Sequence, residues 1–463
     1  MIEVLEKEHP RYRDRKIMWR RYWDFYAGGD ELKRNAALYL VRRQKEPNDV
    51  YSERLSRVFY ENYLGSCVDW YAAALFRSRP AIQFRTVDPS ARQFYADFVE
   101  DADCRRTSLF DLLRKTFIET LVFGESFVRI DFPKAEGEAG SRAEEDASGR
   151  SRAYLSHCSP LEVTNWKVDS RGELEWAILR TQHSYQESLE DPTTISETRW
   201  TYFDRENYRV FVHRARPGES PEQQAVVLAD EGRHALAAQR RVPLVRMAVS
   251  EGLWLANKGA LLAEEHFNKS NALSWALHMG LFAMPVVYSE REWQQIVGEA
   301  YYIQLGPEDR FGWTEPEGKV FEIAARNLER LKDEIYRVCF LMTQAGGREA
   351  RHLGQSGASK KRDFAVTHEV LRAYGSMVRE FLGRVFDLVG KARGDRVEFE
   401  IAGMDSFDEP DLEEEMRIAM ELKKLDCGSP RLEKEARKRV VLKYLEGATQ
   451  ATKNAVLEEI DTR

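Results

Sequence analysis

Cysteine is scarce and scattered in this chain: Cys67, Cys104, Cys158, Cys339 and Cys427, with no C-x-x-C pair among them. An odd, widely spaced set argues against both a disulfide framework and a cysteine zinc site, and points to synthesis in a reducing cytoplasm. Long apolar runs are missing too, and the first 21 residues are charged throughout. Neither a membrane span of roughly 18 apolar residues nor a secretory leader is expected. Lys and Arg total 70 against 77 Asp and Glu, a formal charge of -7. A protein that grips phosphates over its whole surface carries the opposite excess, so tight non-specific nucleic-acid binding is disfavoured.

The usual signatures of catalysis are also lacking. No H-E-x-x-H occurs, and His266, beside Glu265, has no second His four residues on, so it reads as a polar helix residue rather than a zinc ligand. There is no G-x-x-x-x-G-K-[ST] and no strand running into G-x-G-x-x-G, which leaves ATP-binding and dinucleotide-binding folds without support. Gly346-Gly347-Arg348 follows a helical pattern, not a strand. The adjacent carboxylates Glu413-Glu414-Glu415 would point in different directions on a helix and suit its N-terminal dipole better than a magnesium ion. Ser356 and Ser359 have no evident His and Asp partners. Nothing nominates a nucleophile, a metal or a cofactor.

What is present is ample material for a core. The 463 residues include 10 Trp, 19 Tyr and 23 Phe, enough to stabilise several compact units or one many-part subunit. Met18, Tyr22 and Phe25 recur at helical spacing over 11–26, and Gly28-Gly29-Asp30 ends the pattern. Further helices are expected at 52–78, closed by Pro80, and at 108–123, closed by Gly124. From Ser126 the period changes to the alternation of a strand, and strand-like runs follow at 154–158, 175–182, 199–203, 208–213, 225–228 and 242–247, a mainly antiparallel β region. The stretch 133–153 has no aromatic or branched aliphatic residue and is expected to be a mobile loop.

Helical character returns at 258–284, then a short mixed segment runs over 286–323, with Pro285-Val286-Val287-Tyr288 strand-like. Next comes the cleanest helical period in the chain: Leu328, Leu331, Ile335, Val338 and Met342, with Arg326, Glu329, Arg330, Lys332, Asp333 and Arg337 on the other face. A glycine-rich stretch, 345–359, precedes a long helix marked by Val370, Tyr374, Met377, Phe381, Val385 and Leu388. Short helices at 411–425, 429–445 and 449–460 complete the chain, the second with Ser429-Pro430 as N-cap and first residue.

Several segments resemble the portal, or head-to-tail connector, proteins of tailed bacteriophages and related particles. They are Trp23-Asp24-Phe25-Tyr26-Ala27-Gly28-Gly29, with Tyr39-Leu40 and Tyr51-Ser52-Glu53-Arg54-Leu55, and the run from Val68-Asp69 to Leu75-Phe76-Arg77-Ser78-Arg79-Pro80. Leu121-Val122-Phe123-Gly124-Glu125-Ser126-Phe127-Val128 is similar to the helix-glycine-strand junction of portal wings, and Ser159-Pro160-Leu161-Glu162-Val163-Thr164-Asn165-Trp166 to the strand-turn after it. Their order spans nearly the whole chain, although a long polar loop at 133–153 is not a feature of that family.

The resemblance implies an α+β, elongated portal subunit. Its parts would be a wing over 1–257, a first stem helix at 258–284, a clip at 285–323, a second stem helix at 324–344, a tunnel loop at 345–359, a long wing helix and following strand at 360–407, and a helical crown at 408–463. The implied function is a dodecameric ring at one capsid vertex, synthesised in a bacterial host cytoplasm and built into a virion, through which double-stranded DNA is packaged and ejected. Implied partners are further copies of the chain, the major capsid protein, the terminase large subunit, a head-tail adaptor at the clip, and DNA held weakly and without sequence preference; no membrane is involved. Gly346, Gly347, Arg348, Arg351, His352 and Gln355 would form the tunnel loop, with possible DNA contact, and Leu328, Leu331, Ile335, Val338 and Met342 would pack the stem. Two other classes compete: a metal-dependent DNA-processing enzyme, and a minor capsid or scaffold protein that forms no ring.

Overall fold

The computed structural model describes residues 2–77, 79–86, 88–133, 152–188, 190, 193–216, 225–280, 284–288, 308, 310–314, 318–341, 357–404, 412–424, 428–445, 448 and 450–462. The architecture is α+β. In chain order, helices α1 (Ile2–Leu5), α2 (Pro10–Ala27), α3 (Gly29–Asn35), α4 (Asn48–Ser56) and α5 (Tyr63–Leu75) come first. They are followed by strand β1 (Ala81–Arg85), helices α6 (Pro89–Glu100) and α7 (Leu109–Phe123), and strands β2 (Glu125–Asp131), β3 (Tyr154–Cys158), β4 (Val163–Val168), β5 (Leu174–Gln186), β6 (Thr194–Phe203), β7 (Asn207–Ala215), β8 (Val227–Arg233) and β9 (Leu244–Ala248). Then come α8 (Leu255–Gly280), β10 (Met284–Tyr288), β11 (Arg310–Thr314), α9 (Gly318–Val338), α10 (Gly357–Arg393), β12 (Glu398–Ala402), α11 (Leu412–Lys424), α12 (Pro430–Tyr444) and α13 (Gln450–Thr462).

The chain divides into two compact units: Met1–Trp23, Cys67–Asn257 and Gly354–Arg463 form one, Asp24–Ser66 and Lys258–Leu353 the other. In the first unit, β4 to β8 form a five-stranded antiparallel meander in sequence order, each strand beside the next. A three-stranded sheet, β3-β2-β9, has β2 at its centre, and its first four residues are buried. The junction into β2 explains why glycine stands at 124: it closes α7 at φ +85, and a Cβ there would lie 3.0 Å from the Trp254 ring. Two indoles lock the same helix end, Trp19 Nε1 donating to the Phe123 carbonyl at 2.7 Å and Trp254 Nε1 to that of Val122 at 2.9 Å. Along α10, Tyr374, Val378, Phe381, Leu382, Val385 and Val389 are fully buried.

Caps written in the sequence set several boundaries. Ser108 accepts from the Asp111 N–H at the start of α7, and Ser429 from that of Leu432 at the start of α12.

Elsewhere the chain departs from its local pattern. The helix expected over 52–78 is two helices, because Asn62 interrupts it: its side chain accepts from the Gly65 N–H and donates to the Tyr26 carbonyl. Strand β1 and helix α6, which periodicity does not mark, fill 81–100; β1 is completed only by β12, with Ala81 opposite Ala402. The loop expected at 133–153 lies almost wholly outside the described residues.

Candidate functional site

The second unit centres on two long helices whose sequences make them partners. Gly259 on α8 lies where a Cβ would come within 2.8 Å of Leu64 and 3.7 Å of the Cys339 sulfur. The neighbouring Lys258 ammonium sits 4.3 Å from the Phe340 ring centre. Eleven residues further along α8, Lys269 Nζ donates to the Asn327 side chain at 3.0 Å. The start of α8 therefore meets the end of α9, and its middle meets α9 nearer its start: the helices run antiparallel. At 1.5 Å per residue, the 26 residues of α8 and 21 of α9 extend about 39 and 32 Å. Between them in sequence lie β10 and β11, paired antiparallel with Met284 opposite Thr314.

The polar residues in the middle of α8, odd for a core helix, have a structural use. Asn268 donates to the Tyr39 carbonyl at 3.0 Å and accepts from the Val41 N–H at 2.8 Å. Asn271 makes the same two-way contact with the backbone of Phe59. Each amide satisfies a segment that has no ladder of its own. Between these clamps, Phe25, Tyr60 and Phe267 meet edge to face. This is why Asp24–Ser66, expected within the wing segment, groups with Lys258–Leu353.

Two ionisable clusters shape the electrostatics. Glu46 and Arg54, both almost fully buried, form an ion pair in which Arg54 Nη1 donates to both carboxylate oxygens at 2.8 Å. Burial alone would raise the Glu46 carboxyl, but hydrogen bonds from Arg54 and the Arg43 amide bring it below its ordinary value. His266 is buried against Tyr63, with Nε2 3.5 Å from Glu61. Desolvation lowers its pKa, Glu61 opposing, while desolvation and Glu61 together push the Tyr63 phenol up to about 12. His266 is thus a neutral packing residue in a helix pair. Among the described residues, no three His, Cys, Asp or Glu side chains gather as metal ligands.

On α9, Leu331 and Ile335 are buried, and Leu328 and Val338 are half-buried; Met342 lies outside the described residues. Arg326, Glu329, Arg330 and Arg337 are exposed, and Lys332 and Asp333 half-exposed. Arg326 pairs with Glu322 at 3.5 Å and Arg337 with Glu334, both along the helix. The helix begins at Gly318 and stops at Val338, where the segment assigned to 324–344 gives way to Phe340 at φ +60. At the other helix, α8 starts at Leu255, and Met284, assigned to 258–284, belongs to β10. Gly357, assigned to the loop 345–359, already opens α10.

The sequence reading missed Val320 and Ile323, placed within 285–323. Both lie on the first turns of α9, 64% and 58% exposed. Val320, Ala324, Leu328 and Leu331 continue one stripe at spacings of four, four and three, a signal visible without the structure. The loop residues Gly346, Gly347, Arg348, Arg351, His352 and Gln355 lie outside the described residues. No described helix is long and apolar enough to cross a membrane.

No known sequence family matches the chain, and no curated protein matches it. Among solved structures it is similar to a chain from the neck of an empty GTA particle computed with C6 symmetry, at 12% identity and TM-score 0.43, covering 87% of this chain and 95% of that one. It is similar to a chain from the virion of a native gene transfer agent (GTA) particle, at 12% identity and TM-score 0.39, covering 84% and 91%. A third is from the neck of a native GTA particle computed with C12 symmetry, at 13% identity and TM-score 0.38, covering 87% and 95%.

Proposed function

We propose that this chain is a portal subunit, the head-to-tail connector of a phage-like particle. One observation carries the reading: an antiparallel pair of long helices, with a strand pair between them in sequence, in which the apolar stripe of α9 runs past its covered part to Val320 and Ile323. An α+β subunit that stands alone has little use for a helix displaying branched aliphatics at one end. A ring has, because each copy covers its neighbour.

In this reading α8 and α9 are the stem, β10 and β11 with the residues between them the clip, and Met1–Trp23 with Cys67–Asn257 the greater part of the wing. Residues 345–356 are the tunnel loop, and α11 to α13 the crown. Twelve copies form the ring, the wing meets the major capsid protein, and the clip docks the head-tail adaptor and the terminase large subunit. Twelve copies at -7 each carry -84. A channel in that field holds double-stranded DNA loosely, so that it slides instead of stalling. Arg348, Arg351 and His352 are then local exceptions to that field that touch phosphates transiently.

Mass photometry of the purified full chain tests this. A particle near twelve times 53.8 kDa, ring-shaped in negative stain, is expected. A stable species at 53.8 kDa would instead favour a scaffold or minor capsid role, and metal-dependent DNA cleavage would favour an enzyme. Charge reversal at Arg348 and Arg351 should slow packaging; normal packaging and retention would remove the contact role.

A further inference from the structure

A concavity lies wholly in the first unit, and the portal reading makes no use of it. It encloses about 810 Å³, within the range of pockets that take a small ligand or a short chain segment. Its floor is apolar, made of Phe127, Val163, Val242 and Leu244 from the core cluster, with Trp166 and Leu174 half-buried beside them. Its walls carry seven arginines against four carboxylates, in a chain whose net charge is -7.

Most of the seven are answered, Arg240 by Glu206 at 3.5 Å, but two are not. Buried Glu125 is shared by two guanidiniums, Arg11 at 3.1 Å and Arg246. Asp169 holds Arg205 at 2.7 Å, and Glu173 holds Arg241 at 3.3 Å. Asp387 faces Lys391 at 2.7 Å instead of a wall arginine. Arg171 and Arg384 are exposed, and neither guanidinium meets a carboxylate among the described residues; Arg384 donates to the Arg246 carbonyl at 3.0 Å. The Arg11 Nε is buried with no hydrogen-bond partner. Desolvation pulls the Arg11 pKa below its ordinary value against the pull of Glu125, the sign of a cation held partly away from water.

We propose that this cavity binds an acidic peptide segment of a partner protein, its carboxylates on the wall arginines and an apolar side chain on the floor. The guanidinium is planar and forked, which suits bidentate capture of a carboxylate. A nucleic-acid backbone would answer the charge but bring nothing apolar to the floor. One face of Trp166, the aromatic available to stack a base, is already taken by the His9 ring, centroids 3.9 Å apart and nearly parallel. Charge complementarity and the apolar floor together select a peptide.

Fluorescence anisotropy with the full chain tests the proposal, using a labelled short peptide of alternating glutamate and leucine. The same peptide with glutamine for glutamate, and a labelled DNA duplex, serve as the comparison probes. The acidic peptide should bind and weaken as salt is raised, and Arg171→Ala with Arg384→Ala should weaken it by at least about tenfold, since each removes a charge-assisted contact. Arg384→Lys, which keeps the charge and loses the fork, should fall between. Neither arginine supports the core, so thermal unfolding of the variants should match that of the parent. Equal binding of the glutamine peptide, binding indifferent to both substitutions, or saturable binding of the duplex without the peptide would each overturn it.

Discussion

Helices α10 and α9 are both long and amphipathic, yet they use their apolar faces in opposite ways. The first unit covers α10 along most of its length, with Val370, Leu371, Tyr374, Val378, Phe381, Leu382, Val385, Phe386 and Val389 buried. In α9 only Leu331 and Ile335 are buried, while Val320 and Ile323 stand in solvent. The helix with the cleaner period is the less covered one. Periodicity identifies which face is apolar; it does not say whether the same chain covers it.

The contrast can be broken most severely at α10. Phe381→Ala removes a fully buried ring and should destabilise the first unit by about 3–5 kcal/mol, read from the denaturant midpoint. Ile335→Ala, in the covered part of α9, should cost about 2–5 kcal/mol. A cost near zero would mean that α9 is held by its neighbours in the ring rather than by its own unit.

The third test is one of pH. Because the folded Glu46 carboxyl titrates below its ordinary value of 4.5, the stability it adds is present above that value and is lost as pH falls through the lower, folded one. Unfolding of the second unit should therefore steepen on the acid side of pH 4.5, and Glu46→Gln should flatten that limb while lowering stability at neutral pH, since it leaves Arg54 buried without its anion. An unchanged acid limb would place the sensitivity elsewhere. The smallest effect on folding is expected from Val320→Ser with Ile323→Ser, within about 0.5 kcal/mol for the monomer. The same pair should reduce the ring fraction in mass photometry. If it destabilises the monomer as much as Ile335→Ala, the stripe is covered within the chain and the contrast fails.

The legible parts of the fold are those written in neighbouring residues. Ser108 and Gly124 bracket α7, and Ser429-Pro430 opens α12, because caps and left-handed glycines act within a turn of where they stand. The illegible parts depend on distant partners. Five residues at 81–85 carry too short a period to declare a strand, and the ladder that makes them one arrives from 398–402. Asn62 splits a continuous helical pattern through a bond to Tyr26, a partner that local spacing cannot supply. At the candidate site, Leu331 and Ile335 are plain from their spacing, whereas Val320 and Ile323 continue the same stripe but fall in the segment 285–323, read as mixed chain beside Gly318, Lys319 and Glu322.

The pairing of Ala81 with Ala402 also sets a schedule. During synthesis, the segment carrying Ile82 and Phe84, both buried once folded, leaves the ribosome roughly 320 residues before its partner strand. At about 5–20 residues per second, that interval lasts roughly 15 s to a minute. Until then an apolar strand has an open edge, the form in which chains associate wrongly with one another. The five-stranded meander, in which every strand pairs with its neighbour in sequence, can close long before. Closure of that edge therefore waits on translation of β12, so a nascent chain stalled short of residue 398 should aggregate more readily than the full chain.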